Sequence, residues 1–200
     1  MYTRDQIKQA VEAKEYKWFE KGDYNVNIVG VRNSNTGKKV TNRFDDKITI
    51  SYSVKGKLKY FEFNATTDPG SHWERNLLNV NGVAILVPGQ YRSSHIIGLH
   101  QGKYQALRQR IPLKVYRDGN KNGSFDMIKE SIQEGMYGIN IHRATSNINA
   151  TSTQVDRWSA GCQVIASNSD FELFMKIINR SAQLHGPKFT YTLLESKDIV

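Results

Sequence analysis

Two hundred residues, 38% hydrophobic, 10% aromatic and 24% charged, make a chain of ordinary globular balance, long enough for one domain with its own core and too apolar for intrinsic disorder. A single cysteine, Cys162, excludes an intrachain disulfide and any multi-cysteine zinc or iron–sulfur cage, and four prolines exclude a proline-rich linker. The net charge of +9 is uneven, with +6 in residues 1–60, +3 in 61–120 and zero in 121–200. A basic surface on the first 120 residues suits a polyanion: an acidic cell-wall polymer, an anionic lipid or nucleic acid.

In chain order, Thr3–Lys21 reads as a helix with a Thr3/Gln6 capping box, an apolar face of Ile7, Ala10, Val11, Trp18 and Phe19, and a stop at Gly22. Tyr24–Val29 alternates as a strand, and Asn33–Gly37 is a turn cluster. Ile48–Val54 and Leu58–Phe63 form a hairpin about Lys55-Gly56. Ser71–Asn81 is a long polar stretch. Short strands are expected at Val83–Val87, ending at Pro88-Gly89, then at Ile96–Leu99 and Leu113–Arg117. Met127–Gln133 reads as a short helix or turn, Gly138–His142 as a strand, and Gly161–Ala166 as an apolar strand or helix start. A last helix starts at Ser169 with a Ser169/Glu172 capping box, and Phe189–Leu194 closes the chain as a strand. The expectation is one β-rich α+β domain over 1–200 with short helices near each end, residues 1–64 holding a helix and hairpin and 65–200 the catalytic region.

The chemistry concentrates in Tyr137-Gly138-Ile139-Asn140-Ile141-His142-Arg143 and, beyond a polar loop, Trp158-Ser159-Ala160-Gly161-Cys162-Gln163-Val164. Folding the two ends of that loop together sets an imidazole beside a thiol. A thiol with a pKa near ~8.5 is only a few per cent thiolate at neutral pH, so an adjacent imidazole that takes its proton and returns one to a leaving amine makes it a nucleophile. Ser159 and Gly161 let backbone N–H groups approach a developing oxyanion, with the N–H groups of Gly161 and Cys162 as the expected hole. The bland alternative is a buried small hydrophobe at Cys162 and a structural histidine at His142.

This set resembles the L,D-transpeptidase (YkuD-like) family, whose motif is a histidine, a loop, and then Ser-x-Gly-Cys. Histidine before cysteine matches that family; papain-like and CHAP-like peptidases carry the cysteine first. Pro88-Gly89-Gln90-Tyr91 is similar to the family's upstream Pro-x-Gly-aromatic strand. The succession Thr66-Thr67-Asp68-Pro69-Gly70, Gly98-Leu99-His100-Gln101-Gly102-Lys103-Tyr104, Asn140–Arg143 and Arg157–Cys162 looks like a phage-associated, endolysin-like branch. The chain departs from the pattern at Arg143, where the family has glycine, at Gln163-Val164, where it has an apolar residue and arginine, and at Ala160, often histidine.

The resemblance implies a YkuD-like fold and acyl transfer on peptidoglycan stem peptides, with Cys162 as nucleophile, His142 as base and then acid, and Ser159 and Gly161 in the catalytic loop. Hydrolysis is favoured over crosslinking because Met1–Glu20 is charged throughout and lacks a signal-peptide centre. A protein made in the cytoplasm without such a signal fits a lysin-like or virion-associated wall hydrolase better than a wall-building transpeptidase. A true transpeptidase and a non-catalytic wall- or virion-binding module are the alternatives. Peptidoglycan is the expected partner. No specific nucleic acid is expected, since no Lys/Arg run exceeds two residues. Neither a cofactor nor a membrane span is expected, no apolar run approaching the roughly 18 residues a span needs.

His100, Arg143, Arg157 and Trp158 are the candidate substrate-binding residues, the arginines for a carboxylate and Trp158 for sugar stacking. His95 is expected to be structural, since it and His100 lie five apart on a strand and face opposite ways. Asp118, Asn120, Asn122 and Asp126 resemble the front of a calcium loop, but Lys129 stands where the bidentate glutamate belongs, so a plain polar turn is the preferred reading. A metal hydrolase using His95, His100, His142 and Asp118 lacks any local ligand pair.

Overall fold

In the computed structural model, which describes residues 1–200, helix α1 (Arg4–Ala13) begins at the expected capping box: Thr3 Oγ1 accepts the Gln6 N–H and Gln6 Oε1 accepts the Thr3 N–H. It stops eight residues earlier than its periodicity suggests, because Glu15 takes a left-handed φ of 59°. Trp18 still reaches the same apolar cluster, from extended chain, and packs with Ile7, Ala10 and Val11 on Val29, Val31 and Leu194.

The first strand, β1 (Asn27–Arg32), starts later than its alternation suggests and is buried on both faces. One face meets α1 and the other sends Ile28 into the main core. A 3-10 turn (Ser34–Thr36) follows. Then β2 (Asp46–Val54) and β3 (Lys57–Thr66) form the long hairpin, with Lys55 and Gly56 both at positive φ as a tight two-residue turn requires. The polar stretch contains a short helix, α2 (Ser71–Arg75).

Strand β4 (Val83–Leu86) ends before Pro88, but Gly89 opens a twelve-residue strand, β5 (Gly89–His100), of which the expected Ile96–Leu99 is one part. Its partner β6 (Tyr104–Gln109) has no counterpart in the sequence reading. Next come β7 (Leu113–Asp118), a 3-10 turn (Lys129–Ser131), β8 (Gln133–Gly135), β9 (Ile141–Arg143) and β10 (Gln163–Ile165). Helix α3 (Asn168–His185) precedes the final strand β11 (Lys188–Glu195). Its N-cap is Ser167, which accepts the Asp170 N–H, so the helix starts two residues before the expected Ser169/Glu172 box and that box does not form.

Eight strands close into a barrel in the order β1-β11-β5-β6-β9-β10-β3-β2, with β1/β11 and β9/β10 parallel, and β4, β7 and β8 form a separate three-stranded sheet. The architecture is a strand-rich α+β fold, and strands from before and after residue 64 share the one barrel. Ile28, Ile48, Ile50, Phe63, Leu107, Ile141, Ile165 and Leu193 build its core, onto which α3 lays Phe171, Phe174, Met175 and Ile178. No helix is long and apolar enough to cross a membrane.

The barrel is unevenly laced. Strands β2 and β3 pair over nine positions, whereas β6 and β9 meet only at Leu107–Ile141. Side-chain amides complete that seam. Gln109 accepts the Tyr137 and Ile139 N–H groups through Oε1 and donates through Nε2 to the Ile111 and Gly135 carbonyls, and the Gln109 N–H donates to Asn140 Oδ1. Buried His95 braces the same approach: its Nε2 bonds the Ile139 carbonyl at 3.0 Å and its Nδ1 bonds Ser94 Oγ.

Candidate active site

The parallel pair β9/β10 sets the site. Register runs Ile141–Gln163 and His142–Val164, and the Gln163 N–H donates to the Asn140 carbonyl. Cys162 therefore enters the sheet beside Asn140, one strand away from His142. Both line a cleft of about 660 Å³ with His100, Lys103, Tyr104, Arg143, Trp73, Leu78, Arg157 and Trp158. The lining carries three permanent cations and no carboxylate, and Trp158 and Leu78 form an exposed apolar rim.

The turn that presents the sulfur is built by Ser159 and Gly161. Fully buried Ser159 donates from Oγ to the Cys162 carbonyl at 2.8 Å and accepts the Gly161 N–H at 3.1 Å. Gly161 has φ 133°, and a Cβ there would run into the Ala84 carbonyl, so no other residue fits. These contacts revise the expected oxyanion hole: the Gly161 N–H is already engaged by Ser159, and the Cys162 N–H alone makes no hydrogen bond. Ser159 holds the turn and does not face the cleft.

The His142 tautomer follows from its partner. His142 Nδ1 lies 2.8 Å from the Arg143 carbonyl, which only accepts, so the proton is on Nδ1 and Nε2 carries a lone pair. Nε2 is thereby left as the proton-accepting nitrogen of the ring, which the main chain holds in orientation. Tyr104 completes the support: its hydroxyl lies 3.4 Å from His142 Nδ1 and its ring carries the Arg143 guanidinium 4.2 Å above it. Arg143 also pairs with Glu172 of α3 at 3.5 Å. Arg157 is exposed on the rim, and its carbonyl accepts from Trp73 Nε1.

At rest the pair is neutral. Burial pushes the Cys162 thiol up to about 11, outweighing the opposite pull of the Asn140 N–H, and the thiol donates to the Gly138 carbonyl at 3.1 Å. Burial, reinforced by His100, pushes His142 down to about 3. In this resting state almost no thiolate is present at neutral pH, and no hydrogen bond joins the Cys162 sulfur to His142: the two share the cleft without touching. Alkylation reads this directly. The rate of Cys162 with iodoacetamide, followed by intact mass from pH 6 to 9, is expected to rise about tenfold per pH unit and to lie about a hundredfold below a free thiol at pH 7. A flat profile near neutrality would mean a preformed thiolate–imidazolium pair and overturn the neutral resting state.

The remaining sequence candidates lie outside this cleft. In the Asp118–Asp126 loop the side chains satisfy one another: Asp126 Oδ2 accepts from Asn120 and Asn122 Nδ2, and Asp118 Oδ2 accepts the Asp126 N–H. The asparagines thus present donors to the carboxylate, as the polar-turn reading expects. His95 is sealed in the barrel wall and Asp118 lies with the turn, so neither joins His100 and His142 in a metal group, and no cluster of three or more His, Cys, Asp or Glu side chains suits a metal ion.

Two residues of the site escaped the sequence reading in their roles. Asn140 and Tyr104 both sit inside quoted motifs, but only the β5–β6 hairpin, whose turn residues Gln101 and Gly102 have positive φ, brings Tyr104 opposite His100. That turn was the available signal. Comparison with protein-family models, curated proteins and solved structures gives no match to this chain.

Proposed function

We propose that the protein is a cysteine-dependent acyl-transfer enzyme of the L,D-transpeptidase (YkuD-like) kind, acting on peptidoglycan stem peptides and hydrolysing a wall peptide bond in a lysin-like or virion-associated setting. One observation carries the reading: an oriented, unprotonated His142 Nε2 and the Cys162 sulfur share one open cleft with a cationic lining and an aromatic rim. Stem peptides bring carboxylates to the cations, and their neighbouring sugars suit the Trp73 and Trp158 rim.

In the reaction, the Cys162 sulfur bonds to the peptide carbonyl carbon while its proton passes to His142 Nε2. The carbonyl electron pair moves onto oxygen, then re-forms C=O as the C–N bond breaks, and His142 protonates the departing amine. Water then attacks the thioester carbon and gives one proton to His142 Nε2; the C–S bond breaks, the acyl group leaves as a carboxylic acid and His142 passes that proton to sulfur. Purified sacculi incubated with the protein are expected to yield muropeptides with a new free amine and a new carboxyl, read by mass spectrometry. New crosslinks would identify transpeptidation, and unchanged muropeptides would overturn the enzymatic reading.

A non-catalytic wall-binding module is the second reading, favoured by the thiol held protonated against the Gly138 carbonyl. It requires sacculus binding without bond cleavage.

A further inference from the structure

His100 and His142 stack face to face, with ring centroids 4.1 Å apart and planes inclined by 21°. Their hydrogen bonds give the two rings opposite tautomers. Asn140 Oδ1 is fixed as an acceptor by the Gln109 N–H at 2.9 Å, so the Asn140 NH₂ is the end that faces His100. It lies 3.2 Å from His100 Nδ1, which must then be the accepting nitrogen, leaving the His100 proton on Nε2. His142 has the opposite tautomer. Stacking keeps each ring's in-plane nitrogens from bonding the other ring. His100 Nε2 has no hydrogen-bond partner and is not among the sealed, unpartnered polar atoms, and its residue lines the cleft.

We infer that His100 is a catalytic residue that donates from Nε2–H to the oxyanion, forming with the Cys162 N–H the two-donor hole that Gly161 cannot complete. The inference rests on the proposed acyl transfer at Cys162. During attack the carbonyl π pair moves onto oxygen, which accepts from both donors. When the C–N bond breaks, that pair returns to C=O and both donors keep their protons. Burial, and then the charges of Arg108 and Lys103, hold His100 below the usual imidazole range, so it acts as a neutral donor.

The test pairs His100→Phe, which keeps a flat ring and removes the N–H, with His100→Gln, which restores an amide donor. Turnover is measured on muropeptides released from sacculi, and Cys162 alkylation by iodoacetamide at pH 9, a displacement with no oxyanion, is measured in parallel. His100→Phe is expected to lose about 10²–10³-fold in kcat with little change in KM, His100→Gln to recover part of it, and alkylation to stay within about twofold of the parent. Retained kcat in His100→Phe, or alkylation falling in step with kcat in both variants, overturns the donor role. A parent protein that forms no thioester and cuts no bond overturns the nucleophile reading itself, a result separable from the first two.

Discussion

Cys162→Ala is expected to abolish bond cleavage on sacculi, and His142→Ala to lower kcat by about 10²–10⁴-fold while leaving the fold intact. The reasons differ for the two residues. Without sulfur there is no covalent intermediate, so no thioester mass adduct forms. Without His142 the thiol has no proton acceptor: its own pKa of about 11 leaves almost no thiolate at pH 7, and the Gly138 carbonyl that holds the resting proton is not a base. Residual activity of His142→Ala is therefore expected to climb with pH toward that of the parent. Because His142 is buried and also stacks on His100, circular dichroism and urea unfolding of the variant separate this loss from misfolding. Full activity in both variants removes the assignment.

Arg32→Met is expected to be the most destabilising single change described, at about 3 kcal/mol in urea unfolding. Arg32 is 3% exposed at the end of β1 and ties three segments together. Its Nη1 donates to the Leu86 carbonyl at 3.0 Å, its Nη2 to the Thr67 carbonyl and its Nε to Thr67 Oγ1. Asp68 Oδ1 sits 2.8 Å from Nε as an ion pair with no aligned hydrogen bond of its own. Removing the cation strands that carboxylate. Asp68 keeps 23% side-chain exposure, which places the cost at the low end of that for a broken buried pair. Asp46, adjacent, is already pushed up to about 7 by burial and then by Asp68. Arg32→Met/Asp68→Asn is expected to recover part of the loss. A single-variant loss below about 1 kcal/mol, or no recovery in the pair, would falsify the ion-pair account.

Much of the local structure was readable because its determinants are local. The Thr3/Gln6 box and the Lys55-Gly56 turn each need only a few consecutive residues. The end of α1 was not readable, since Trp18 keeps helical spacing with Ile7 and Val11 yet reaches their cluster from extended chain. Strand β6 was missed because Tyr104–Gln109 is a mixed run whose pairing depends on β5. At the site, His142 and Cys162 were named from residue type and order, but the tautomers depend on Asn140, Gln109 and the Arg143 carbonyl, which no spacing rule brings together. The departure at Gln163 also has a physical reason. This buried amide accepts from the Tyr191 hydroxyl at 2.7 Å and donates toward the Thr67 and Gly161 carbonyls, so it braces the cysteine turn from inside the barrel.

The seam between β6 and β9 has a mechanical consequence. A barrel breathes first where its backbone ladder is thinnest, and here that line falls between the strand bearing His142 and the hairpin bearing His100. On one side His142 lies on β9 and Cys162 immediately precedes β10, and these two strands hold three paired positions. On the other, His100 and Tyr104 ride on the β5–β6 hairpin. An opening along this line widens the mouth of the cleft without breaking the β9/β10 register, and Gln109 and Asn140 are the side chains that lace it shut again.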